Sequence, residues 1–307
     1  MRSSLLCAVL LAGVAVPASA SAQQRRDDGR RYDRERSSRL DTTVTLNRGG
    51  LVSLTARQGD VIVHTGSGND VIIHATTERG RVRLDASGDR VAVDASDAGG
   101  DTRLEITVPR GARVSAQSQN GDVTVRGTGG DVSAHTQSGD ILVDDASGHL
   151  DFGTLSGDIT ASTLKGDVNA RTVSGDVTLT AVVGDVGAET VSGDIKLRNV
   201  TSQRVTAHST SSDVSFDGAI DPNGRYELGS HAGDVVLDIP ANASAQLTVS
   251  TWNGSIDSAF PITLEPGEHG IGVGTSKRFT FNIGGGAARI SAETFSGDIV
   301  IRRRGSK

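Results

Sequence analysis

The stretch from Thr172 to Asn199, TVSGDVTLTAVVGDVGAETVSGDIKLRN, contains Gly-Asp three times, at Gly175-Asp176, Gly184-Asp185 and Gly193-Asp194. The interval is nine residues each time. Read outward, the frame begins at Gly121 and continues through Gly130, Gly139, Gly148, Gly157, Gly166, Gly175, Gly184 and Gly193. Asp follows Gly in each unit except one, where His149 stands instead. The third position is always aliphatic, as at Val123, Ile141, Ile159 and Val177, and the fifth is apolar, as at Val125, Phe152 and Leu179. Side chains alternate along a strand, so positions three and five face one side. Position eight is also apolar in most units, as at Leu155, Leu164, Val173 and Val182. To bring it inward the chain must bend near positions six and seven. Gly-Asp supplies a second corner, because Gly reaches backbone angles closed to other residues and Asp caps a nearby N–H.

A period of 18 overlies the nine. Thr-x-Ser-Gly-Asp recurs at Thr136, Thr154, Thr172 and Thr190, and the alternate units lack it. The structural unit is therefore 18 residues with two related halves. Units this short cannot bury an apolar face alone and must stack, one coil on the next at roughly 4.8 Å. After Asn199 the corner place passes to Asp213, Asp234, Ser255 and Asp298, and the coil widens to about 21 residues. AETVSGDIKLR (Ala188 to Arg198) and AETFSGDIVIR (Ala292 to Arg302) differ at three positions. The expected fold is all-β: a single-stranded parallel β-solenoid, a right-handed β-helix with coils of 18–21 residues over 40–304. About 20 residues per coil predicts roughly 13 coils stacked in chain order. The rival architecture is an antiparallel meander with Gly-Asp as a hairpin turn, which leaves the 18-residue alternation unexplained.

Composition agrees with thin, repetitive β-structure. Of 307 residues, 39 are Gly and only 3% are aromatic. The net charge of -6 argues against nucleic acid as a partner. Residues 1–22 read as a signal peptide: Arg2, an apolar run from Leu5 to Val16, then small residues suited to cleavage. The single cysteine, Cys7, lies in that run, so the mature chain would hold no disulfide. No later segment is apolar and long enough to span a bilayer as a helix. Residues 23–39, QQRRDDGRRYDRERSSR, carry seven Arg against four acids and read as a disordered linker. Residues 305–307 form a short tail.

The residues nominate little chemistry. Asp140, Asp158, Asp176 and Asp194 should stack in a column, where they either cap turns or bind a cation weakly. The nine-residue period is similar to that of the calcium-binding β-roll, but each unit here has one Gly where that motif has three. Trp252, the only tryptophan, falls at a corner and is either a packed turn residue or a ligand platform. His64 and His74 follow the similar strings VIV and VII and could stack on adjacent coils. No metal-binding or catalytic spacing appears, so neither a cofactor nor a catalytic residue is expected.

RLEITVPRGARVSAQSQNGDVTVRG (Arg103 to Gly127), the serial Thr-x-Ser-Gly-Asp units and the closing AETFSGDIVIR together resemble the bacterial putative-adhesin family of β-strand-repeat proteins. The resemblance spans roughly Leu40 to Arg304. It implies a β-helical fold, a place outside the cytoplasm, and a role in envelope adhesion or envelope stress. It carries over no catalytic residues. The combined expectation is an exported, periplasmic or secreted structural or interaction (adhesin-like) module at the bacterial cell envelope, with an envelope polymer or protein as its partner. The alternatives are a polysaccharide-active β-helix enzyme and a weakly calcium-binding β-roll.

Overall fold

In the computed structural model, which describes residues 37–261 and 277–304, each coil of the repeat lays one strand on each of two faces. Every element among the described residues is a strand. On the first face, Val132–His135, Leu150–Gly153, Val168–Arg171 and Val186–Thr190 run parallel. On the second, Ile141–Ser147, Ile159–Lys165 and Val177–Val183 do the same. The register is 18 residues throughout, with Val132 beside Leu150 and Ile141 beside Ile159. The hairpin meander is thereby excluded. Farther on, the long strands Ile195–Ser209 and Val214–Ser230 each turn a corner and serve both faces.

Alternation fills the interior. Ile141, Ile159, Val177, Ile195, Val214, Val235 and Ile299 form one buried line, and Val143, Ala161, Leu179, Leu197, Phe216, Leu237 and Ile301 a second. On the other face Phe152 lies between Ala134 and Ala170, and such pairing of large with small keeps a narrow core densely packed. Tyr226 is buried with its ring edge-on to Phe216. Its hydroxyl donates to the Ser202 carbonyl and accepts the Asp221 N–H, both at 2.8 Å. Burial pushes the phenol pKa up.

Two sequence expectations change. The sheet is mixed, so a solenoid built only of parallel strands is not the fold. Ser38–Thr45 pairs antiparallel with Asp70–Arg79, which pairs antiparallel with Gly99–Pro109. Arg83–Ala86 and Lys277–Ile283 are also antiparallel to their neighbours. These strands lie towards the two ends of the stack. A terminal coil has no neighbour to satisfy its edge, and a reversed strand covers it. Residues spent on such strands add no coils, so the stack is shorter than 13 coils would make it.

The second change is order. The strand Leu51–Gln58 sits between Arg90–Ala95 and Arg113–Asn120. Likewise Ala288–Thr294 sits between Val214–Ser230 and Ala245–Thr251. At both ends one coil is laid down out of chain order. The copies at Ser255 and Asp298, 43 residues apart, are therefore adjacent in space: the Ser255 N–H donates to Asp298 at 2.7 Å.

Candidate binding ridge

The two halves of each 18-residue unit turn their corners differently. In one half a residue in the left-handed region (Asp145, Thr163, Ala181 or Asn199) precedes the corner. The next residue, Ala146, Leu164, Val182 or Val200, is then thrown inward and buried. In the other half the buried corner residue is the threonine of Thr-x-Ser-Gly-Asp. The hydroxyls of Thr136, Thr154, Thr172 and Thr190 donate to the carbonyls of Gly121, Gly139, Gly157 and Gly175 at 3.1–3.2 Å. Ser209, Ser230, Thr294 and Thr251 continue that column.

With threonine turned in, the residue after it must point out. Position eight is therefore inward in alternate units only, which corrects the expectation that it always faces the core. Leu155, Val173 and Val191 are 55%, 43% and 45% exposed, whereas Leu164 and Val182 are wholly buried. The outward residues form one unbroken line. The backbone N–H of Ser174 donates to Leu155, Ser192 to Val173, Ser211 to Val191, Ala232 to Thr210, Ser296 to His231 and Asn253 to Phe295. The ridge thus reads Leu155, Val173, Val191, Thr210, His231, Phe295, Trp252. Its last three rings stack: His231 on Phe295 at 4.9 Å and Phe295 on Trp252 at 6.0 Å, with interplanar angles of 14° and 12°.

Beside the ridge runs a groove of about 620 Å³, walled by Leu155, Val173 and Val191 on one side and by His135, Arg171, Glu189 and His208 on the other. A second hollow shares His208 and Ser209 with it and continues past Arg225 and Glu227 to Glu293. Arg171 pairs with Glu189 at 3.0 Å, and His135 approaches Asp151 at 3.2 Å. Glycine makes room for the histidines: a Cβ at Gly153 would stand 2.6 Å from the His135 ring, and one at Gly229 2.7 Å from His208.

On the other flank stands the aspartate column. Asp140, Asp158, Asp176 and Asp194 are brought into line, and the line extends from Asp60 and Asp122 to Asp213, Asp234 and Asp298. Each Oδ1 accepts the N–H of the next corner residue, at 2.8–2.9 Å among the four predicted members. The cap thus joins successive coils and does not close its own turn. Those N–H bonds are the main cause holding the Asp176 and Asp298 carboxyls below their usual range. Lys196 bridges Asp176 and Asp194, at 3.2 and 2.9 Å. Among the described residues no three Asp, Glu or His side chains gather where they could share a metal ion.

Trp252 ends the ridge, half exposed. His64 and His74 do not stack on adjacent strands: His64 sits opposite Thr107, and His74 opposite Glu105, with Nδ1 2.7 Å from Asp41. The aliphatic and aromatic partners of Trp252 went unrecognised in the sequence. The signal was available in the x of Thr-x-Ser-Gly-Asp, which is Gln137 in the first copy but apolar, at an exposed place, in the next three.

A family model described as Toastrack DUF4097 matches residues 131–302, more than half of the chain. The chain belongs to this family. The Toastrack match takes in the whole ridge from Leu155 to Trp252. Among solved structures the Toastrack chain is similar to a putative adhesin from Bacteroides fragilis, with 10% identity, 86% of this chain and 97% of that chain covered, and a TM-score of 0.41. It is similar to a putative cell adhesion protein from Clostridium sporogenes, with 8% identity, 88% and 100% covered, and a TM-score of 0.23. A putative adhesin from Parabacteroides merdae shares 10% identity over 67% of this chain and 90% of that chain, with a TM-score of 0.24. No curated protein matches the chain.

Proposed function

We propose that this Toastrack protein is an exported interaction module of the bacterial cell envelope. It holds a partner on the ridge and groove of its threonine corner and performs no catalysis. The observation that carries the reading is the ridge itself. Five of its residues (Leu155, Val173, Val191, Phe295 and Trp252) are large, apolar and 43–55% exposed in one line. Aligned exposed apolar surface marks an interaction site. Periodic stacking repeats that line coil after coil, as suits an extended partner. Trp252 serves as one end of the platform.

Export rests on the signal-like residues 1–22, which lie outside the described residues. Among the described residues no helix is long and apolar enough to cross a membrane. N-terminal sequencing of the secreted or periplasmic product checks the first half of the proposal: a chain beginning at residue 21 or 23 is expected. Pull-down with peptidoglycan, lipopolysaccharide and outer-membrane proteins checks the second. Retention on one fraction, lost in the double variant Val173→Asn, Val191→Asn, is expected. Retention on none overturns the reading.

A further inference from the structure

We infer that the ridge docks a basic amphipathic α-helix of a partner protein, laid along the stacking axis. The inference rests on the interaction reading above and names the ligand class. Three observations select it: the spacing of the ridge, its charge margin and the way its rings are used.

Spacing decides the form of the ligand. Ridge residues succeed one another once per coil, at roughly 4.8 Å. An α-helix returns to the same face every turn, at about 5.4 Å. One apolar residue per turn can therefore meet one ridge residue per coil, with a mismatch of about 0.6 Å per step that reaches about 3.6 Å only at the sixth step. An extended strand presents same-face side chains every ~6.6 Å and falls out of step after two coils. From Leu155 to Trp252 the ridge makes six inter-coil steps. That is about 29 Å, the length of a helix of about 20 residues.

Charge decides the ligand's other face. The aspartate column lies three residues beyond the ridge in every unit but that of Trp252, where Ser255 takes the place. Each Oδ1 is engaged by a backbone N–H, while Lys196 reaches the Oδ2 atoms of Asp176 and Asp194. The groove side adds Glu189, Glu227 and Glu293, balanced in part by Arg171 and Arg225. An apolar stripe with an acidic margin complements an apolar stripe flanked by Lys and Arg.

Ring use disfavours a sugar. His231, Phe295 and Trp252 lie nearly parallel, so Phe295 is covered on both faces and His231 and Trp252 on one face each. Ahead of them stand Thr210 and then the aliphatic Val191, Val173 and Leu155. The chain's own Arg-rich residues 23–39 supply the charge but, apart from Tyr32, no large apolar side chain to meet Leu155, Val173 and Val191.

The test uses the full chain, whose single tryptophan reports from the ridge. The probes are a 20-residue Leu/Lys peptide with Leu at helical spacing, a scrambled peptide of the same composition, a Leu/Glu analogue, peptidoglycan fragments and anionic vesicles. We expect the helical Leu/Lys peptide to bind at least about tenfold tighter than the scramble and to shift Trp252 emission to the blue. Val173→Asn with Val191→Asn should lose about tenfold in affinity at unchanged Tm, and Asp158→Asn with Asp176→Asn should flatten the salt dependence. Equal binding of the scramble would leave charge alone and overturn the proposal. So would a Trp252 response to fragments or vesicles without one to the helix. So would binding that appears only after residues 23–36 are deleted, which would make that segment the native occupant. If the helix fails while envelope pull-down still depends on Val173 and Val191, the ligand class falls and the interaction reading stands.

Discussion

Leu155 and Leu164 occupy the same place in the nine-residue frame, yet one is 55% exposed and the other wholly buried. The difference lies in how each half-coil turns. Ahead of Leu164 the backbone passes through a left-handed residue, Thr163 at φ 58°, and the leucine swings in. Ahead of Leu155 no such residue occurs; Thr154 goes in and satisfies its hydroxyl on Gly139 at 3.2 Å. A single repeat thus makes one corner that buries its aliphatic residue and one that turns it outward. The 18-residue alternation is the mark of that division of labour.

The largest expected effects break the comparison at its centre. Leu164→Asp should cost roughly 4 kcal/mol or more, because it buries an unpaired charge, and Ile159→Asp should behave alike. Leu155→Asp should stay within about 0.5 kcal/mol of the parent. Urea unfolding of the three variants reads this directly, and equal losses at 155 and 164 would dissolve the distinction.

Glycine is common to both corners. Gly157 has φ 151° and Gly166 φ 127°, and a Cβ would stand 2.0 Å and 2.1 Å from the carbonyl oxygens of Gly139 and Gly148. Gly157→Ala and Gly166→Ala should each cost about 3 kcal/mol by thermal melting. A harmless substitution at either would mean that coils do not approach that closely.

Smaller changes separate the corners by sign. Thr172→Val removes the hydroxyl that Gly157 accepts and should cost about 1 kcal/mol. Ala181→Gly relieves an L-residue held at φ 55° and should stabilise by up to about 1 kcal/mol. Both follow from calorimetric melting of single variants.

The mildest effect belongs to the aspartate column. Asp158→Asn should cost no more than about 0.5 kcal/mol, since the amide oxygen can still accept the Asp176 N–H. The charge enters through pH. Asp176 and Asp298 have carboxyl pKa values lowered on folding. Their stabilisation is present above the unfolded value near 3.9 and is lost as pH falls through the lower folded value. A melting series from pH 6 to pH 2 should show Tm declining below about pH 4. A Tm that rises there would contradict the capping role.

The interior and its register were legible in the sequence because they follow from local periodicity. Ile141, Ile159 and Val177 had to share a face, and an 18-residue alternation had to set the neighbour. Three features were not legible. Which of Leu155 and Leu164 points inward depends on a left-handed residue such as Thr163 or Ala181, whose identity does not advertise that conformation. The out-of-order coils at the ends depend on long-range pairing, which local pattern does not encode. The antiparallel strands Asp70–Arg79 and Lys277–Ile283 carry the same alternation as their parallel neighbours, so pattern alone leaves their direction open. Trp252 was visible as a corner residue, but its stack with Phe295 needed the swapped order that makes their coils adjacent.

The decisive measurement is thiol accessibility in two single-cysteine variants, Leu155→Cys and Leu164→Cys, each carrying Cys7→Ser. Labelling of the native chain should be fast at position 155, close to the rate in denaturant, and slower by orders of magnitude at position 164. Similar rates at the two positions would contradict the account of two unlike corners and, with it, the ridge.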